Sequence, residues 1–241
     1  MNDGIVIIPT YNEIENIESI VRAVLSLHKP FDILVVDDNS PDRTADKVIA
    51  LQTEFPQRLF LEKRAKKSGL GTAYVHGFKW ALARKYDFMF EMDADFSHNP
   101  KDLEKLYDAC HFGSADVAVG SRYVTGVNVV NWPLNRVLMS YFASVYVKMI
   151  TGMQIHDATA GFICYKRKVL ETINLDKIKF IGYAFQIEMK YRAFANKFQI
   201  TEVPIIFTDR TKGQSKMSNA IITEAVFGVI SLRIRNLFNR L

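Results

Sequence analysis

The sequence predicts an α/β fold in which one mostly parallel sheet is flanked by helices, and three observations point there. Short β-rich runs alternate with helical patterns through the first half of the chain. Each run is nearly all apolar, as a strand buried on both faces must be. Two of the runs end in paired carboxylates, at the edge where open α/β sheets bind ligands.

The first run, Ile5–Ile8, ends in Pro9-Thr10-Tyr11-Asn12-Glu13. A flat ring and a carboxylate at one sheet edge suit the stacking and hydrogen bonding of a nucleobase, although a turn and helix cap would use the same residues. A helix over 13–27 follows, with Ile14, Ile17, Val21, Val24 and Leu25 at helical spacing and Asn12 available to cap it. The second run, Ile33–Val36, leads into Asp37-Asp38-Asn39-Ser40. One of these carboxylates or Ser40 is expected to cap a helix beginning near Pro41, leaving the other carboxylate for nucleoside hydroxyl or amino groups.

After the third run, Leu59–Leu61, the segment Gly69-Leu70-Gly71-Thr72-Ala73 precedes a helix over 72–85. Small residues there let the backbone approach a phosphate at a helix N-terminus. Neither G-x-G-x-x-G nor a G-K-[ST] ending is present, so dehydrogenase and P-loop readings lose their main support. The fourth run, Phe88–Met92, ends in Asp93-Ala94-Asp95. Two carboxylates one residue apart suit Mg²⁺ or Mn²⁺ bound together with substrate phosphates; alone, they read equally well as solvated turn residues. A helix over 99–111 opens on Asn-Pro, and the fifth run is Val117–Val119.

Beyond Tyr123 the pattern changes to a Gly-, Val- and Asn-rich stretch over 125–132, a long apolar helix over 135–150, and less regular strands. This half is expected to shape the acceptor site. The tail from Ala220 places Ile230, Ile234, Leu237, Phe238 and Leu241 at helical spacing beside Arg233, Arg235 and Arg240. It reads either as a docked helix or as one lying on an anionic membrane surface. The expected organisation is a single domain over 1–216 followed by this amphipathic helix over 217–241.

A chain of 241 residues with 49% hydrophobic content buries a substantial single core. Its net charge of +5 leaves anionic partners possible. The one dense basic run, Lys63-Arg64-Ala65-Lys66-Lys67, lacks interleaved aromatics, so nucleic acid is not an expected partner. Cys110 and Cys164 have no C-x-x-C spacing and read as buried thiols of a reducing compartment. With no leader pattern and no run of about 18 apolar residues, a cytoplasmic location is expected, peripheral to the membrane if the acceptor is a lipid.

The ordered set PTYNE, VVDDNSPD, GLGTAYVHGF, DADFSHNP, GSRY, ATAGF, FQIEM and DRTKGQSKM resembles the inverting, A-type glycosyltransferase family that contains the polyprenyl-phosphate mannose synthases. The match runs from about Ile5 to Met217, and GSRY, FQIEM and D-R-x-x-G-x-S-K belong most narrowly to the polyprenol-phosphate branch. The resemblance implies a nucleotide-diphospho-sugar transferase (GT-A) domain that moves mannose from GDP-mannose to a polyprenyl phosphate. By it, Pro9, Tyr11, Glu13, Val36 and Asp38 hold the guanosine. The Asp93-Ala94-Asp95 segment holds metal and diphosphate, and Arg210 and Lys216 hold the donor phosphates. Ser97 stands where the family commonly supplies a Gln as metal ligand, which puts the third ligand in doubt.

The same resemblance gives Asp95, Arg122 and Arg136 the reacting centre, the two arginines positioning an acceptor phosphate; a structural ion pair and a solvated helix start are their other readings. Asp157, and Glu188 in the segment Gln186-Ile187-Glu188, are candidates for orienting the sugar or the arginines, or for structural salt bridges; Gln186 is a further site candidate without an assigned role. The helix over 135–150 reads as a core helix or as a surface for a polyprenyl chain. Trp80 and Trp132 lie outside any Q-x-x-R-W motif, which argues against a processive polysaccharide synthase. A transferase using UDP-glucose or another nucleotide sugar with a lipid or hydroxyl acceptor, and a non-catalytic nucleotide-sugar-binding subunit, stay open as alternatives.

Overall fold

Uninterrupted runs of β-branched and aromatic side chains form the centre of the molecule, because such strands are stable only when covered on both faces. The computed structural model describes residues 2–182, 184–209 and 219–238, the side chains of 219–225 excepted. In order, the first half contains β1 (Gly4–Thr10), α1 (Ile17–Leu25), β2 (Asp32–Asp37), α2 (Thr44–Gln52), β3 (Leu59–Lys63), α3 (Leu70–Ala83), β4 (Phe88–Glu91), α4 (Asp102–His111) and β5 (Val117–Ser121). The second half contains β6 (Val129–Val130), α5 (Leu134–Thr151), β7 (Ile163–Lys166), α6 (Arg167–Thr172), α7 (Ala184–Ala195), β8 (Ile200–Pro204), β9 (Phe207–Thr208) and α8 (Asn219–Leu237).

Seven strands form one sheet in the order β3-β2-β1-β4-β7-β5-β8. Only β7 runs against its neighbours among the described strands, so the sheet is mostly parallel, as the apolar runs predicted. A short parallel pair, β6 and β9, stands apart from it.

Alternation along β1 divides the core. Val6 and Ile8 join the side chains of α1, α2 and α4 on one face, while Ile5 and Ile7 join those of α3 and α7 on the other. At about 1.5–3 kcal/mol for each large apolar side chain fully buried, these two layers dominate the stability. Helix α3 approaches β1 closely because Gly77 faces Ile7; a Cβ there would lie 2.6 Å from the Ile7 Cγ2.

Several local expectations change. Helix α1 begins at Ile17, not at Glu13, because Asn12 adopts a left-handed φ of 60° and a turn over 13–16 comes first. Helix α2 begins at Thr44 instead of near Pro41, with Asp42 accepting from the Thr44 backbone N–H at 3.0 Å, a service expected of Asp37, Asp38 or Ser40. Helix α4 begins at Asp102, after a turn in which the Asn99 carbonyl accepts from the Asp102 N–H.

The largest change concerns α5, which the sequence favours as a core helix. Leu134, Phe142 and Met149 are 71%, 61% and 72% exposed. Helix α8 packs its Val229 and Leu232 against α5 and α7, and Gly228 allows that approach, since a Cβ there would lie 2.5 Å from the Phe180 ring. Among the described residues no helix is long and apolar enough to cross a membrane.

Candidate active site

A cavity of about 370 Å³ opens at the sheet edge where β4 and β5 end. The loop after β4 contributes Asp93, Asp95, Ser97 and His98, and the loop after β5 contributes Arg122. Trp132 precedes α5, which adds Arg136, Met139, Ser140 and Tyr146. Thr159, Ala160, Gly161, Gln186, Phe207 and Asp209 line the remaining wall, with Val226 and Val229 of α8. The structure therefore gathers Asp93, Asp95, Ser97, Arg122, Arg136 and Gln186 in one space, from segments up to 93 residues apart.

The acidic side is held in shape by its own loop. One Asp95 oxygen accepts from the Ser97 N–H at 3.0 Å, and the Ser97 hydroxyl is buried without a partner among the described residues. His98 is buried, its ring stacked on Phe162 at 4.8 Å, and its Nδ1 accepts from the Asp93 N–H. Burial pushes the His98 pKa down, so the ring is neutral at pH 7. Two carboxylates and a spare hydroxyl make an oxygen donor set that fits a hard divalent cation. Among the described residues no third His, Cys, Asp or Glu completes a metal cluster. The Ser97 hydroxyl is the further side-chain oxygen that this loop offers beside them.

The basic side has a buried support. Arg122 donates from Nε and Nη2 to Asp157 at 2.7 and 2.6 Å, and its backbone N–H reaches the same carboxylate at 3.0 Å. Nη2 also donates to the Thr159 hydroxyl at 2.8 Å. Burial alone would raise the Asp157 carboxyl, but the Arg122 charge and hydrogen bonds outweigh it and hold the pKa below the ordinary value. Arg136 lies 4.0 Å from the centre of the Trp132 ring and donates to Asp209 at 2.9 Å. Both cations are thus fixed in direction before any ligand arrives.

The residues implied for a guanosine do not line this cavity; they form a second cluster at the ends of β1 and β2. Asp38 is 6% exposed and takes a bidentate pair from Arg64 at 2.5 and 2.7 Å. The Lys67 ammonium sits 4.3 Å from the centre of the Tyr11 ring, and Glu13 accepts from the Asn16 side chain at 2.9 Å. Pro9 is half-buried beside them on β1. Val36 and Ala94 have their side chains inside the core, so either meets a ligand only through its main chain. Asp37 is spent on Thr10 and Ser40.

Glu188 also stands outside the cavity, accepting from the Lys179 and Phe180 N–H groups and from Arg192. This is a structural ion pair, the second of its two readings. Arg210 and Lys216 lie outside the described residues. Sequence reasoning overlooked His98, Ser140, Thr159 and Asp209 in the cavity wall, and Arg64 on Asp38. Ser140 was open to detection, since it follows Arg136 by four residues on one helix face.

Residues 5–173 match Glycosyl transferase family 2. The chain is 48% identical over 236 residues to the polyprenol monophosphomannose synthase of Mycolicibacterium smegmatis, covering 98% of this chain and 89% of that protein. It is 44% identical over 223 residues to the undecaprenyl-phosphate mannosyltransferase of Micrococcus luteus, covering 92% and 90%. To the longer dolichol-phosphate mannosyltransferase of Pyrococcus furiosus it is 37% identical, over 91% of this chain and 60% of that one. Among solved structures, glucosyl-3-phosphoglycerate synthase of Mycobacterium tuberculosis with uridine diphosphate superposes with a TM-score of 0.68 at 16% identity, covering 97% of this chain and 79% of that one. At that identity the likeness speaks for the fold alone.

Proposed function

The chain belongs to Glycosyl transferase family 2, and from that premise we propose that it transfers mannose from GDP-mannose to a polyprenyl phosphate with inversion at the anomeric carbon. The names of its relatives support the sugar and the acceptor class. The observation that carries the reading is that one cavity joins two carboxylates, Asp93 and Asp95, to two fixed guanidinium groups, Arg122 and Arg136.

The acidic end suits the donor. Asp93, Asp95 and the Ser97 hydroxyl would hold Mg²⁺ or Mn²⁺ together with the donor diphosphate. A bound cation of this kind supplies Lewis-acid stabilisation of the charge that grows on the leaving diphosphate. The nucleoside falls to the neighbouring cluster, where the Tyr11 ring offers a stacking face and Asp38 with Arg64 offers paired polar groups. Arg210 and Lys216 are assigned to the donor phosphates.

The basic end suits the acceptor. A phosphate monoester with a second pKa of about 6 is already largely ionised at neutral pH and needs no strong base to attack. What it needs is alignment, and Arg122 and Arg136 hold its oxygens toward the anomeric carbon while Asp157 keeps Arg122 from turning. Attack on the face opposite the leaving diphosphate, in one displacement, inverts the configuration.

The lipid tail leaves along the two apolar helices. Met139 and Val226 line the cavity and are also exposed, so the cavity wall runs on into the uncovered apolar faces of α5 and α8. We assign that surface to the cytoplasmic face of a membrane, with the chain held peripherally. The test is incubation of the purified chain with Mn²⁺, GDP-mannose and undecaprenyl phosphate, followed by mass and anomeric analysis of the lipid. A β-linked mannosyl phospholipid is expected; transfer only from UDP-glucose, or GDP binding without any transfer, would overturn the reading.

A further inference from the structure

Beneath the cavity lies a buried polar pair that the mechanism above leaves unused. Glu91, the last residue of β4, is fully enclosed and accepts a hydrogen bond from the Gln186 side-chain amide, with the buried Tyr165 hydroxyl as its other neighbour. Either protonation state of a carboxyl keeps an acceptor oxygen for that bond. Gly161 leaves room beside that amide, since a Cβ there would lie 3.4 Å from the Gln186 nitrogen. One turn further along α7 the enclosed Lys190 ammonium donates to the Ala160 carbonyl at 2.6 Å, fixing the segment that carries Gly161.

The carboxamide is therefore held with its nitrogen toward Glu91. Its carbonyl oxygen is buried, has no donor among the described residues, and belongs to a residue in the cavity wall. Buried acceptors are rarely left unpaired, because leaving one unmade costs more than making it gains. The donor missing from the protein is one that a ligand brings. Beside the carboxylates assigned to the diphosphate, the O–H groups available are those of the sugar.

We propose that Gln186 selects the donor by accepting a hydrogen bond from one hydroxyl of the transferred sugar, and that Glu91 is the positioning residue that sets the carboxamide for it. This rests on the reading that the chain uses a nucleotide sugar. The measurement is calorimetric binding and kcat/KM for GDP-mannose and its monodeoxy analogues, with the wild type, Gln186→Ala, Glu91→Leu, Glu91→Gln and the Gln186→Ala/Glu91→Leu pair.

The wild type is expected to disfavour one analogue by about tenfold, the loss of one good hydrogen bond. Gln186→Ala and Glu91→Leu bring that ratio close to one, Glu91→Gln keeps it, and adding Glu91→Leu to Gln186→Ala changes it no further. A ratio that survives in Gln186→Ala overturns the proposal, and this variant leaves the buried Glu91 and Lys190 in place should Glu91→Leu fail to fold. Equal loss on every donor in Glu91→Leu, with the ratio retained, overturns the positioning role. Nucleotide sugar bound with no hydroxyl discrimination sinks this proposal alone, whereas a wild type that binds no nucleotide sugar sinks it together with the functional reading.

Discussion

Asp95 and Arg122 share a cavity but depend on different physics. On the proposed reading Asp95 acts on charge that develops during the reaction, so Asp95→Ala should lower the rate of GDP release by a hundredfold or more, about the scale of losing one fixed electrostatic group. Steady-state release of GDP checks it, and full activity would remove Asp95 from the centre. Arg122 instead depends on a partner, Asp157, which is wholly buried. Asp157→Asn leaves a buried guanidinium half-paired and should cost about 3–5 kcal/mol in urea unfolding. Because the folded Asp157 pKa lies below its ordinary 3.8, the pair's contribution is complete above that value and is lost as pH falls through the lower, folded one. The wild type should therefore show a stability slope below pH 4 that Asp157→Asn lacks; equal slopes would assign acid lability elsewhere. The D-x-D pair does line the cavity, and what singled it out in the sequence was a second acidic strand end beside it, not the pair alone. The Arg122–Asp157 and Arg64–Asp38 pairs were not legible there, since their members are 35 and 26 residues apart and no local pattern links them.

At the scale of elements, the first five strands were legible to within two residues at each end, because a run apolar on both sides has one stable environment, while β6 to β9 were expected only as less regular strands. Helix starts were read less well: Asn12, Asp37 and Asp38 look like caps in sequence, whereas Asn16 stands at the start of α1, Asp42 accepts from the first N–H of α2, and Asp38 pairs with Arg64 instead. Helix α5 was misjudged for a deeper reason. An apolar helix surface has the same composition whether it meets a core or an acyl chain, and periodicity carries no record of which. Helices α5 and α8 together expose Leu134, Phe142, Met149, Phe227, Ile234 and Leu237, more than scattered surface residues. The paired change Phe142→Asp and Phe227→Asp should weaken binding to vesicles containing anionic lipid by tenfold or more, at about 1.5–3 kcal/mol for each aromatic that loses its burial. Flotation with and without vesicles measures it, and unaltered partition would leave that face without a membrane role. Gly228→Val should loosen α8 by forcing a side chain into Phe180, at about 1–3 kcal/mol of overpacking, and speed proteolysis near 219.

For the molecule as a whole, the strand order sets β2, β1 and β4 side by side, so the Tyr11–Asp38 cluster, the carboxylates after β4 and the cavity follow one another along a single sheet edge. A ligand spanning that edge touches segments that unfold together, and its binding energy becomes folding energy. GDP with Mn²⁺ at about a hundredfold over its dissociation constant should add about 2.7 kcal/mol, or roughly 5–10 °C in melting temperature for a chain of this size. The two parts of the ligand are separable by site. Chelating the metal, or changing Asp93 and Asp95 together to Asn, should remove the metal-dependent increment, while Tyr11→Ala removes the nucleoside's share and leaves the response to Mn²⁺ with diphosphate alone. If chelation leaves the GDP-induced shift intact, the carboxylates after β4 hold no cation that matters to the donor. The acidic end of the cavity would then need another account, even if sugar transfer were observed.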